Sequence, residues 1–189
     1  MRSTLLFLLS WLSCGSIAFA DVASTPAAHV VAAATPARVP DNAQFNPLIG
    51  SWDVVYEIYD KDGKLRTYRG QVTYQWILDG GALQETWTSD SHNKVPQPYA
   101  TTIDFRDTKR QCWSSTWIYP AQGAVLSLCG VEMDGHMVFT GRDEKGSMQR
   151  WTNNDIQAAD AFDSHFEVSD DDGKTWRLVG VNHLRRHHA

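Results

Sequence analysis

From Phe45 onward the chain alternates apolar and polar positions in short runs. Trp52, Val54, Tyr56 and Ile58 interleave with Asp53, Val55, Glu57 and Tyr59, and Val72, Tyr74, Trp76 and Leu78 interleave with Thr73, Gln75, Ile77 and Asp79. A period of two sends successive side chains to opposite faces, so each run reads as a half-buried β-strand. Between the runs stand Asp62-Gly63, Asp79-Gly80-Gly81, Asp134-Gly135, Lys145-Gly146 and Asp172-Gly173, which tolerate the positive φ of tight hairpins. The pattern predicts strands over 50–60, 65–78, 82–90, 99–107, 110–119, 124–133, 136–143, 147–154, 162–169 and 174–185, with a helical turn only at 46–49. About eight to ten short strands, hairpin after hairpin with no long crossover, predict an all-β antiparallel up-and-down β-barrel, whose closure also protects the edge strands.

The first residues have a different character. Arg2, the apolar run from Leu5 to Leu12 and the small-x-small triplet Ala18-Phe19-Ala20 read as a secretory signal peptide cleaved after Ala20. Trp11 stands where a lipobox around Cys14 would need an aliphatic residue, so lipidation is the lesser reading. Residues 21–44, rich in Ala, Thr and Val and carrying Pro26, Pro36 and Pro40, lack a sustained period and read as a disordered linker. The organisation expected is therefore a leader over 1–20, a linker over 21–44, one barrel domain over 45–186 and a tail over 187–189, in a periplasmic or secreted protein.

Charge narrows the partners. The 189-residue chain carries a formal net charge of −5, and loss of Arg2 with the leader makes it more negative. Nucleic acid and anionic membrane surfaces call for basic patches and are not expected as partners. Beyond the leader no stretch is long and apolar enough to predict a transmembrane segment. In an oxidising compartment the remaining Cys112 and Cys129, which flank a hairpin turn at Pro120-Ala121-Gln122-Gly123, are near enough to opposite for one cross-strand disulfide. Two buried free thiols are the alternative.

The stretch Asn46-Pro47-Leu48-Ile49-Gly50-Ser51-Trp52 resembles the G-x-W signature with which lipocalins and their calycin relatives open their barrel. The resemblance implies that Trp52, placed by Gly50, closes the base of the barrel, and that Arg185 or Arg186 of the final strand stacks over its ring. Phe45 through Asp53, Trp76 through Glu85, Ser114-Ser115-Thr116-Trp117 and Asp172 through Arg177 are together similar to a bacterial family of exported lipocalin-like domains of unknown function. That likeness covers most of residues 45–186 and implies a fold without an activity. The segment Ser169 through Trp176 resembles the Asp-box hairpin of sialidase propellers, where the box stabilises a turn away from the catalytic centre. A single copy in a chain without propeller repeats implies a well-made hairpin, not a glycosidase.

Aromatics dominate the candidate chemistry. Trp52, Trp76, Trp87, Trp113, Trp117, Trp151 and Trp176 either fill a small barrel or line a pocket for a flat, apolar ligand. Leu83, Glu85 and Trp87 share a strand face. If that face points inward, a carboxylate stands in an apolar interior, where it is paired, with Arg150 or Arg142 as candidates, or has a raised pKa. Asp163, His165 and Glu167 share another face and are metal-binding residue types, but Phe162, Phe166 and Val168 occupy the opposite face and turn the trio toward solvent. His183 lies in the region from which barrels related to nitrobindin present a proximal haem ligand, and only its position matches. No nucleophile-elbow, phosphate-loop, dinucleotide or C-x-x-C motif is present, so neither covalent catalysis nor a cofactor or metal is predicted.

These residues point to an exported protein that binds a small apolar or aromatic molecule inside the barrel through Tyr74, Glu85, Trp87, Trp113 and Trp117. The alternatives are a barrel enzyme of isomerase or cyclase type using Glu85 as acid or base, a nitrobindin-like haem barrel, and a solid barrel whose surface meets a protein partner in the cell envelope.

Overall fold

The computed structural model describes residues 39–188 apart from Asn93 and Ala159. The expected leader with its cleavage site after Ala20, Cys14 and residues 21–38 of the expected linker lie outside the described residues. Within them the chain forms β1 (Gly50–Tyr59), β2 (Leu65–Ile77), β3 (Ala82–Ser89), β4 (Gln97–Asp107), β5 (Cys112–Tyr119), β6 (Ala124–Met133), β7 (His136–Arg142), β8 (Met148–Asn154), β9 (Ala161–Ser169) and β10 (Arg177–Arg186). Each strand pairs antiparallel with the next, and β10 returns to β1, giving a closed ten-strand up-and-down barrel. This is the up-and-down barrel that the alternation predicts, and it fits the lipocalin-like fold that the G-x-W resemblance implies.

Strand limits deviate from the expected ones where side chains capture the backbone. The last strand begins at Arg177, because the Asp171 carboxylate accepts the Thr175 amide at 2.8 Å and the Thr175 hydroxyl at 2.6 Å, while the Trp176 indole donates to the Gly173 carbonyl at 3.0 Å. Those bonds keep residues 174–176 in a compact hairpin and out of the ladder. At the other end, a 3-10 helix spans Asn42–Leu48. The folded unit therefore includes residues expected in the linker: buried Pro40 accepts the Trp113 indole N–H at 2.9 Å, and the Asn42 amide donates to the Gly80 carbonyl at 2.9 Å. The expected tail is also partly engaged, since the His187 amide donates to the Ser51 carbonyl at 3.0 Å.

The helix seals one end of the barrel. Phe45 packs on Trp113 with ring centroids 4.2 Å apart, and Trp52 meets Phe162 edge-on at 5.0 Å. The Trp52 indole donates to the Leu48 carbonyl at 2.7 Å. Of the two arginines expected over this ring, Arg186 is the one that stacks, its guanidinium carbon 3.9 Å from the ring centroid. Arg186 also donates to the carbonyls of Ile49 and Pro47. Arg185 does not fill that role: it stands opposite Asp53, one residue out of phase with the Trp52–Arg186 pair, and is exposed. Parity along a strand is all that separates the two.

Cys112 and Cys129 are joined by a disulfide with Cα atoms 5.6 Å apart. Cys129 lies opposite Ser114, so the bridge runs diagonally between β5 and β6. Close strand contact also has a glycine signature: a Cβ at Gly130 would stand 2.4 Å from the Phe139 ring, so the absence of a side chain lets that ring lie across the β6–β7 ladder.

Candidate functional site

Above the sealed floor the barrel holds a cavity of about 180 Å³. Its position follows from register. Tyr74 on β2 is opposite Glu85 on β3, Glu85 is opposite Thr102 on β4, and Thr102 is opposite Trp117 on β5. One step toward the floor, Leu83 is opposite Asp104 and Asp104 is opposite Ser115. All these positions share the inward parity, so hydrogen-bonded neighbours on four strands present one continuous wall. Trp151, Phe166, Ile58 and Phe139 complete the apolar lining, with Asn153, Ser164 and Asn182 as its polar members across from the carboxyls.

Aromatic rings meet around this space mostly edge to face. Tyr56 and Tyr74 lie 6.3 and 6.4 Å from Trp87, Tyr99 lies 5.3 Å from Tyr119, and Trp117 lies 6.2 Å from Trp151. The Tyr56 hydroxyl donates to the Thr88 carbonyl at 2.7 Å, which fixes the ring at the wall.

The polar centre is a pair of carboxyls. Glu85 accepts the Trp87 indole N–H at 2.9 Å, and that N–H also reaches the Thr102 hydroxyl at 3.2 Å. Asp104 is only 4 % exposed, and its Oδ1 has no hydrogen-bond partner among the described residues. Burial pushes Glu85 above the usual carboxylate range, opposed by Thr102, Trp87 and Asp104. Burial pushes Asp104 well above that range, and the neighbouring Glu85 charge adds to the rise against the Ser115 hydroxyl. Two like charges this close in a desolvated wall do not both ionise readily, so the two carboxyls share a proton between them. Burial also raises the phenols, Tyr74 strongly and Tyr99 to about 12.

The structure brings Tyr74, Glu85, Trp87 and Trp117 to the cavity and keeps Trp113 away from it. Trp113 is fully buried in the floor against Phe45, with its indole N–H taken by Pro40, so it cannot touch a ligand in the cavity. The basic partners expected for Glu85 are engaged elsewhere. Arg150 pairs with Glu167 at 2.6 Å and stacks 4.1 Å from the Trp176 ring, and Arg142 pairs with Asp172 at 2.8 Å. His183 lies on β10 between the inward positions Asn182 and Leu184, so its own side chain is on the outer face, where Nδ1 sits 2.8 Å from Asp163. An inward haem ligand from His183 is thereby excluded. His165 pairs in register with Val181 and Thr152 on that same outer face.

Sequence reasoning missed much of the lining, Tyr56, Tyr99 and Thr102 among it, and the missed residue that bears a titratable acid is Asp104. On β4 the apolar residues Ile103 and Phe105 alternate with Asp104, and Phe105 is 40 % exposed while Asp104 is buried. Hydrophobic parity therefore gives the wrong face for this strand. The signal that could have found it is positional: Asp104 follows Ala100 and Thr102 at a spacing of two and pairs with inward Leu83.

A closed ten-strand barrel with a plugged floor and an aromatic cavity is a lipocalin-like barrel protein. Solved structures share that fold at low sequence identity. The S-type phycobiliprotein lyase CpeS of Guillardia theta superposes with a TM-score of 0.52 at 12 % identity, over 77 % of this chain and 91 % of its own. The protein Rv2717c of M. tuberculosis gives 0.52 and 12 % over 79 % of this chain and 99 % of its own. A protein of unknown function from the DUF3598 family of Nostoc punctiforme gives 0.50 and 14 % over 81 % of this chain, which spans about half of it, 52 %. No protein-family model and no curated protein sequence matches the chain. Likeness at this identity establishes the fold alone.

Proposed function

We propose that this is an exported lipocalin-like binding protein that holds a small apolar or aromatic molecule in the barrel, against Tyr74, Trp87 and Trp117, with Glu85 orienting a polar end. The observation that carries this reading is the combination of a sealed floor with an aromatic-lined space of about 180 Å³ above it. An apolar cavity of about 150 Å³ takes up benzene in another protein, so this one has room for a single ring with a short arm. Export is supported by the leader over 1–20 and by the Cys112–Cys129 bridge.

Native mass spectrometry of the protein isolated from its own host tests both parts. An N-terminus at Asp21 and an added small-molecule mass are the expected results. An apo mass in every preparation, with no quenching of tryptophan fluorescence by small aromatic compounds, overturns the binding assignment, and an uncleaved leader overturns export.

A second reading is favoured by the raised pKa of Glu85, which suits a general acid or base in an isomerase- or cyclase-type reaction. A like-folded neighbour is named a lyase, so chemistry in such a barrel has a precedent. Glu85→Gln separates the readings: a binder retains the ligand found by mass spectrometry, at an affinity reduced by loss of one polar contact, and an enzyme keeps binding but loses turnover.

A further inference from the structure

Among the described residues no Lys, Arg or His lines the cavity to balance the carboxyl pair, the candidate arginines of β7 and β8 face outward into other ion pairs, and Asp104 Oδ1 accepts no hydrogen bond although the residue is only 4 % exposed. A buried polar atom left unpaired costs about 1–3 kcal/mol, and a second carboxyl beside it raises that cost. Tyr56, Tyr74, Trp87 and Trp117 line the same cavity, and aromatic rings attract a cation over their faces.

We infer that the ligand is a small organic cation, an aromatic or alicyclic amine whose ammonium N–H groups bond Asp104 Oδ1 and the Glu85 carboxylate while its ring occupies the space lined by Trp87 and Trp117. This rests on the reading of the barrel as a ligand-binding cavity and adds the charge and size of the ligand. An ammonium supplies several donors at one point, matching a lone acceptor beside a carboxylate. A metal ion of the calcium or magnesium type would instead call for a shell of about six oxygens rich in carboxylates, and among the described residues no third Asp, Glu, His or Cys joins the pair.

Cation binding also couples to protons. The titratable groups facing the pair are Tyr74 from β2, Tyr56 from β1 and Tyr99 from β4, all held neutral by burial, so the two carboxyls are the groups that release protons when a cation binds. A bound ammonium favours their ionised form, and amine affinity therefore rises with pH while affinity for an uncharged analogue stays flat.

Calorimetric titration of the purified full chain with 2-phenylethylamine, 2-phenylethanol and 3-phenylpropanoate tests this. The amine is expected to bind roughly ten- to a hundredfold more tightly than the alcohol, the span of one or two charge-assisted hydrogen bonds, and the carboxylate not at all. Asp104→Asn and Glu85→Gln are expected to abolish the preference for the amine over the alcohol, with near-ultraviolet circular dichroism confirming the fold. Equal affinities for amine and alcohol in the unaltered protein overturn the inference and leave the binding function standing, and this comparison holds even where a variant misfolds. No binding of any of the three overturns both.

Discussion

The two halves of the barrel interior are built from the same alternating strands and treat polar groups in opposite ways. In the floor every prominent donor has a partner: the indoles of Trp52 and Trp113 bond the carbonyls of Leu48 and Pro40, and Arg186 bonds those of Ile49 and Pro47 while covering the Trp52 ring. In the cavity half two carboxyls are held together with no basic side chain beside them among the described residues, one with an unmatched oxygen. Stability resides in the first arrangement. The second costs stability, as sites arranged for binding commonly do.

Exchanging large for small at matched positions measures that contrast most strongly. Trp52→Ala removes a fully buried ring and is expected to cost about 3–5 kcal/mol, whereas Trp117→Ala, whose ring already borders open space, is expected to cost only about 1–2 kcal/mol. Urea unfolding followed by circular dichroism reads both, and equal costs would break the distinction. Next in size is the arginine pair. Arg186→Met leaves two floor carbonyls without their donor, at about 1–3 kcal/mol, while Arg185→Met on the exposed face is expected to stay within about 0.5 kcal/mol.

A gain of stability is expected at the carboxyl pair. Asp104→Leu removes the unmatched oxygen and is expected to raise stability at pH 8 by about 1–2 kcal/mol. Its pH dependence is fixed by direction. Both carboxyls bind protons more tightly in the folded chain than at their ordinary values of 4.5 and 3.8. Their contribution is thus fully present below those values and is lost as pH rises through the raised folded-state pKa values. Thermal melts from pH 4 to pH 8 should show the unaltered protein losing stability relative to Asp104→Leu, and a constant difference would contradict the shared-proton assignment.

Much of this was legible in the sequence. Turn residues and period-two runs located the strands to within a few residues, because hairpin chemistry is local. The end of the linker and the face of β4 were not legible, for a common reason. Pro40 is tied to the fold by Trp113, 73 residues away, and Asp104 faces inward in step with its neighbours on β3 and β5. Arg185 and Arg186 differ by one step of parity, which the alternation around them does not resolve because His183, Leu184 and the two arginines end the strand without a clear apolar phase.

The closing seam has a consequence in time. Arg186 reaches carbonyls 137 and 139 residues earlier in the chain, and β10 emerges after the other nine strands from any ribosome or translocation channel. Until it does, β1 has one unsatisfied edge and the base of the barrel has no latch. The barrel therefore closes only after the whole chain is out, and its slow folding step should be the long-range closure of β1 on β10.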